Sequence, residues 1–139
     1  MATKGGVFRW AEADSVNIAL LDQQHQALFA TVDELNRALA AGKGNELLIP
    51  ILQKLVDYAL HHFATEESLM EEHDFPGFST HRARHEMFRQ EVAVFLKDYK
   101  AGSLGIPVEL TFFLQSWLKE HVQRIDQEYS QFLNARGVR

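Results

Sequence analysis

The chain has no cysteine, and only three prolines and eight glycines among 139 residues. Lack of cysteine excludes a disulfide scaffold, a thiolate zinc site, an iron–sulfur cluster and covalently attached haem. No apolar run reaches the ~18 residues of a membrane span. The first ten residues lack the apolar core of a signal peptide, so the cytoplasm is the expected location. There is no lysine–arginine cluster, and acidic residues outnumber basic ones by 19 to 14, so nucleic acid is not an expected partner.

What is present points to one globular domain. The hydrophobic fraction of 46% argues against disorder. A chain this long buries roughly 68–70% of its unfolded surface and can build a core without covalent staples.

The chain breakers gather in three places: Gly42 with Gly44, Pro76 with Gly77, and Gly102 with Gly105 and Pro107. Between them run long stretches interrupted only by Pro50. This pattern predicts four helices, near residues 18–41, 46–74, 79–101 and 107–135. Asn17, Asn45 and Ser79 or Thr80 are candidate N-caps, and Pro107 suits a first helical turn. Apolar residues recur at steps of three and four in every segment, as in Leu21, Leu28, Val32 and Leu35 of the first. Short connections make neighbouring helices antiparallel. The expected fold is all-α: an up-down-up-down four-helix bundle over 18–135, preceded by an N-terminal arm over 1–17 that packs Phe8 and Trp10 on the bundle.

The apolar stripes carry intruders. His25, His62, Glu66, His81, His85 and His121 all occupy inward positions. One buried histidine bonded to a carbonyl would be ordinary, but six polar groups on the inner seam of four helices need a common partner. A metal is the simplest one. His81 and His85 are four apart and share a helical face, as do His62 and Glu66. His121 and Asp126 are five apart, which separates them by ~140° on a regular helix. Spacing alone therefore does not select Asp126. At ~1.5 Å per residue, His25, Glu66, His85 and Asp126 all fall ~10–15 Å from one end of the bundle. His62 and His121 lie about a turn further in, so one compact site is feasible. Imidazole with carboxylate suits iron, manganese, zinc or copper without choosing among them. Seven candidate ligands exceed the needs of one ion, and no Glu-x-x-His motif of the ferritin-like kind occurs.

At this point the sequence resembles the hemerythrin family, in particular its bacterial members. The carrying pieces are Asp22-Gln23-Gln24-His25, His62-Phe63-Ala64-Thr65-Glu66-Glu67, His81-Arg82-Ala83-Arg84-His85, and Trp117-Leu118-Lys119-Glu120-His121 followed by Asp126. The resemblance implies a non-haem centre of two iron ions with an oxo or hydroxo bridge. It implies that His81, His85 and His121 hold one iron, that His25 and His62 hold the other, and that Glu66 and Asp126 bridge them. It thereby selects Asp126. It further implies that one position stays open on the two-histidine iron, where dioxygen binds reversibly as hydroperoxide.

Such a site needs a dry, apolar pocket. Phe63 and Trp117 match pocket residues of the family, and Leu28, Leu118 and Val122 are their expected companions. Tyr129, one turn beyond Asp126, is placed either to bond a ligand carboxylate or to pack, and packing is the expectation; His61 is expected to face the surface and His73 to stabilise a helix end. Glu67 is placed off the ligand register. The expected function is a carrier, store or local supplier of dioxygen, not an enzyme. It would act as a monomer, with an oxygen-consuming protein of unknown identity as its recipient. The alternatives are an oxygen or redox sensing module and a di-iron oxidoreductase. With the last predicted helix reaching residue 135 of 139, no output module is expected.

Overall fold

The computed structural model describes residues 8–139. Four long helical rods form an up-down-up-down bundle: α1 (Ala19–Ala40), α2 (Gly44–Glu72), α3 (Phe78–Lys100) and a fourth made of three consecutive pieces. Those pieces are α4 (Ile106–Glu120), a π-helical turn (His121–Ile125) and α5 (Asp126–Ala135). A short 3-10 turn, Glu12–Asp14, precedes α1. Among the described residues there is no strand, and no helix is long and apolar enough to cross a membrane.

The glycines at the two tight turns act through their backbone. Gly42 has φ +74° and Gly102 φ +92°, which a side chain would strain. Each follows a helix end, and the amide beyond it reaches back: Lys43 N–H to the Ala38 carbonyl at 2.8 Å, Ser103 N–H to Asp98 at 3.0 Å. These bonds satisfy carbonyls that the helix leaves open and turn the chain around within a few residues.

The helix starts differ from the candidate caps. Ile18, Lys43 and Gly77 occupy the cap positions, and none makes a side-chain cap bond. Asn17 instead adopts φ +57°. Asp22 organises this entry from inside α1, accepting from Val16 N–H at 2.9 Å and from the Ser15 hydroxyl at 2.6 Å. Pro107 does lie in the first turn of α4.

The arm residues Phe8 and Trp10 pack on the core, and Phe8 stacks on Phe29 with ring centroids 4.8 Å apart. Residues 1–7 of the expected arm lie outside the described residues.

The core is split in two. A larger apolar cluster runs from Leu28, Phe63, Phe88 and Leu118 toward the far end of the bundle. A smaller one, with Val16, Ile18, Leu21, Met70, Tyr129 and Leu133, closes the near end. All six intruding residues and Asp126 fall in the band between them, so dry walls stand on both sides of the polar layer.

Candidate metal centre

Each rod delivers its ligand candidates by register. His25 sits between Leu21 and Leu28 on the inner stripe of α1. His62 and Glu66 share the inner face of α2, and His81 and His85 that of α3. The fourth rod solves the five-residue spacing of His121 and Asp126 by leaving the α-helix. The Asp126 N–H bonds to the His121 carbonyl, an i→i+5 bond. A turn one residue longer lays residues five apart over one another, so both side chains point inward. Such bulges occur often at functional sites.

The seven groups converge. None of His25, His62, Glu66, His81, His85, His121 and Asp126 is more than 3% exposed. Two sets of ligand atoms each lie within 4.8 Å of one another: Glu66, His81, His85 and His121, and His25, His62, Glu66 and Asp126. The carboxylate oxygens divide the cluster between them. Glu66 Oε2 is 3.2 Å from His62 Nε2 and 3.4 Å from His25 Nε2, while its Oε1 is 3.1 Å from His85 Nε2. Asp126 Oδ2 is 3.1 Å from His25 Nε2, while its Oδ1 is 3.1 Å from both His81 and His121 Nε2. Each carboxylate thus turns one oxygen to a two-histidine half and the other to a three-histidine half.

The donors fit cations. His25 Nε2, His62 Nε2, His81 Nε2, Glu66 Oε1 and both Asp126 oxygens are buried without a hydrogen-bond partner. His85 Nε2 and His121 Nε2 face each other at 3.2 Å. Buried acceptors aimed at one another need a positive charge between them. Imidazole and carboxylate without thiolate form a donor set that iron accepts.

The electrostatics of the chain alone say the same. Burial would lower the pKa of His25, but the carboxylates of Asp126 and Glu66 beside it outweigh this and raise it to about 10. For the same reasons His81 rises to about 9. His62 goes down, because burial dominates there. Burial favours neutral Glu66 and Asp126, yet the surrounding histidines hold both below the usual carboxylate range. Protons serve as the counter-charge that a metal would supply, so metal uptake must release them.

Three outer contacts were not legible in the stripe pattern. His62 Nδ1–H donates to Gln24 Oε1 at 2.7 Å, and His85 Nδ1–H to Glu67 Oε2 at 2.7 Å. The Tyr129 hydroxyl donates to Glu66 Oε2. This corrects the expectation that Tyr129 only packs: a fully buried phenol needs a partner, and the carboxylate is within reach. Glu67 is off the ligand register as expected, yet it binds the far side of a ligand candidate. The signal was adjacency: Gln24 and Glu67 directly flank His25 and Glu66 in sequence. Of the remaining histidines, His61 is exposed and His73 caps the end of α2, its Nδ1 2.9 Å from the Leu69 carbonyl.

An apolar cavity adjoins the cluster. It is lined by Leu28, Val32, Leu55, Ala59, Phe63, Phe88, Leu114, Trp117 and Leu118. About 10 Å³ is open to the centre of a water-sized molecule, room for roughly one. Two of its walls are also ring supports. Phe63 stacks on His85 at 3.8 Å, and Trp117 on His121 at 4.3 Å. Four of the five expected pocket residues line this space. Val122 is fully buried in the same core cluster but is not part of the wall.

Comparison with known proteins decides the family. The model of the hemerythrin HHE cation binding domain matches residues 16–133. The chain belongs to the hemerythrin family. A bacteriohemerythrin of Methylococcus capsulatus is 30% identical over 127 residues, covering 91% of this chain and 96% of that protein. One from Stenotrophomonas maltophilia is 32% identical, over 91% of this chain and 81% of that protein. A crystal structure of wild-type hemerythrin superimposes with a TM-score of 0.82 at 29% identity, covering 92% of this chain and 98% of that one. The bundle described above is thus the hemerythrin fold; the family binds a di-iron centre, and the layer of histidines and carboxylates is positioned to ligate metal.

Proposed function

We propose that this hemerythrin binds dioxygen reversibly at a di-iron centre and acts as a carrier, store or local supplier. It is a binding protein, not an enzyme. One observation carries the reading: five buried imidazoles and two buried carboxylates converge beside an apolar cavity, and His25, His62, His81, Glu66 and Asp126 keep buried polar atoms there without a hydrogen-bond partner. His81, His85 and His121 would hold one iron, and His25 and His62 the other. Glu66 and Asp126 would bridge them. The split of each carboxylate's oxygens between the two halves supports this assignment.

Bound iron supplies the electrons that make dioxygen binding possible. The chain does the rest. Phe63 and Trp117 stack on His85 and His121 and hold those rings in place. Gln24 and Glu67 accept hydrogen bonds from Nδ1–H of His62 and His85, which leaves each Nε2 lone pair toward the centre. Tyr129 bonds Glu66 Oε2 and so would fix the carboxylate that is to lie between the two irons. Leu28, Phe63, Trp117 and Leu118 offer water no hydrogen-bond partner, so the space beside the centre stays dry. Val122 seals the core behind them. The protein would work as a cytoplasmic monomer that hands dioxygen to an oxygen-consuming partner.

The test is an iron assay with visible spectra, recorded after anaerobic reduction, after admitting air and after flushing with argon. About two irons per chain and a charge-transfer band that appears in air and vanishes under argon are expected. Two irons that oxidise irreversibly with no such band would replace this reading with a redox sensor or an oxidoreductase.

A further inference from the structure

The two halves of the centre are held from outside by groups of the same shape and different charge. His62 Nδ1 meets the side-chain amide of Gln24, and His85 Nδ1 the carboxylate of Glu67, both at 2.7 Å. The orientation of the amide follows from its neighbours. The Thr65 hydroxyl donates its proton to the His61 carbonyl at 3.0 Å. It can therefore only accept from Gln24 Nε2, 3.3 Å away. That contact turns Gln24 Oε1 toward His62. Neither Gln24 Oε1 nor a carboxylate can donate, so both histidines carry their proton on Nδ1 and present Nε2 to the centre.

A charged acceptor draws on a hydrogen bond about twice as strongly as a neutral one. Pulling on Nδ1–H pushes electron density to Nε2 and makes the imidazole a stronger ligand. A stronger donor favours the higher metal charge. We infer that Gln24 and Glu67 are positioning residues that make the two iron sites unequal. Glu67 stabilises the ferric state at the His81, His85 and His121 site, and Gln24 leaves the His25 and His62 site the weaker donor set, more easily kept ferrous. The inference rests on the di-iron reading above. It gives that reading an electronic direction: the site with fewer histidines is also the one whose outer partner bears no charge.

Two mirror substitutions test it in the iron-loaded full chain. Glu67→Gln keeps the side-chain shape and an acceptor oxygen while removing the charge. Glu67 is 21% exposed, so the change leaves no buried void. Gln24→Glu adds the charge on the other side. The readouts are irons per chain, the two midpoint potentials from anaerobic spectroelectrochemistry, and the Mössbauer parameters of each iron. Glu67→Gln should weaken the ferric preference of the three-histidine iron about tenfold, raising its potential by about 59 mV. Gln24→Glu should lower the potential of the other iron by a similar amount. The proposal fails if both variants keep two irons with unmoved potentials, or if each shifts both irons equally. Should Glu67→Gln lose its iron, Gln24→Glu decides alone, and the absence of a lowered potential there overturns the proposal. An unsubstituted chain that takes up fewer than two irons defeats the di-iron reading itself, which sets the two failures apart.

Discussion

Replacing Tyr129 by phenylalanine separates a packing role from a bonding one. The ring is fully buried and lies in the small core cluster, and phenylalanine fills nearly the same volume. The cavity cost is therefore small, and what is lost is the hydroxyl's bond to Glu66 Oε2. Glu66 is also fully buried, so water cannot take the vacated place without opening the core. A hydrogen bond to a charged group is worth about 1.5–3 kcal/mol. At this chain length each kcal/mol moves the melting temperature by roughly 3–5 °C. The metal-free variant should thus melt roughly 5–15 °C below the metal-free parent. Iron affinity should fall about tenfold, because the carboxylate loses the group that orients it. By linkage that loss takes about a further 1.4 kcal/mol from the iron-loaded variant, so the melting difference should widen with iron bound. Calorimetry of both forms and chelator competition for iron measure these quantities. Equal melting of the metal-free variant and parent would refute the bonding role and return Tyr129 to packing alone.

Phe63→Ala should destabilise the chain by about 3–5 kcal/mol, read by urea unfolding, and shorten the life of the air-dependent band, because water gains access beside the centre. His25→Ala should leave about one iron per chain by elemental assay, since the two-histidine site loses half its imidazoles. Retention of two irons with normal spectra would overturn the ligand assignment. In the metal-free chain, stability should peak between about pH 4.5 and 6.5, the ordinary values of Glu66 and His25. The raised pKa values of His25 and His81 give stability that is full below 6.5 and is lost as pH climbs through about 9 and 10. The depressed values of Glu66 and Asp126 give stability that is lost as pH falls below the usual carboxylate range, while His62, which prefers to be neutral, takes stability away as pH falls below its ordinary 6.5 and so tilts the peak toward the upper end of that window. Thermal melts across pH check the window, and iron loading should abolish the alkaline decline, because the metals replace those protons.

Most of the fold was readable because each helix reports its own inner face. A stripe at steps of three and four needs no knowledge of the partner helix, and polar residues on it stand out by cost alone. His25, His62, Glu66, His81, His85 and His121 were legible for that reason, and all are buried. Gln24 and Glu67 were not. Each is about 100° from its neighbouring ligand candidate and meets a histidine of an adjacent helix, so its role depends on a contact between helices that periodicity does not encode. Tyr129 lay on the inner face like any core residue, and only the position of Glu66 across the bundle gives its hydroxyl a task.

Asp126 marks the sharper limit. A sequence reading assumes 3.6 residues per turn, and on that assumption His121 and Asp126 diverge. The backbone departs from that value at those very residues, with His121–Ile125 wound as a π-turn. If the turn amounts to one extra residue, deleting exposed Arg124 should restore a regular helix in which histidine and aspartate stand four apart and remain on one face. Such a variant should keep its helical circular dichroism and two irons per chain. Loss of iron with retained helicity would show that the π geometry itself, and not merely the shared face, places the carboxylate between the two halves of the centre.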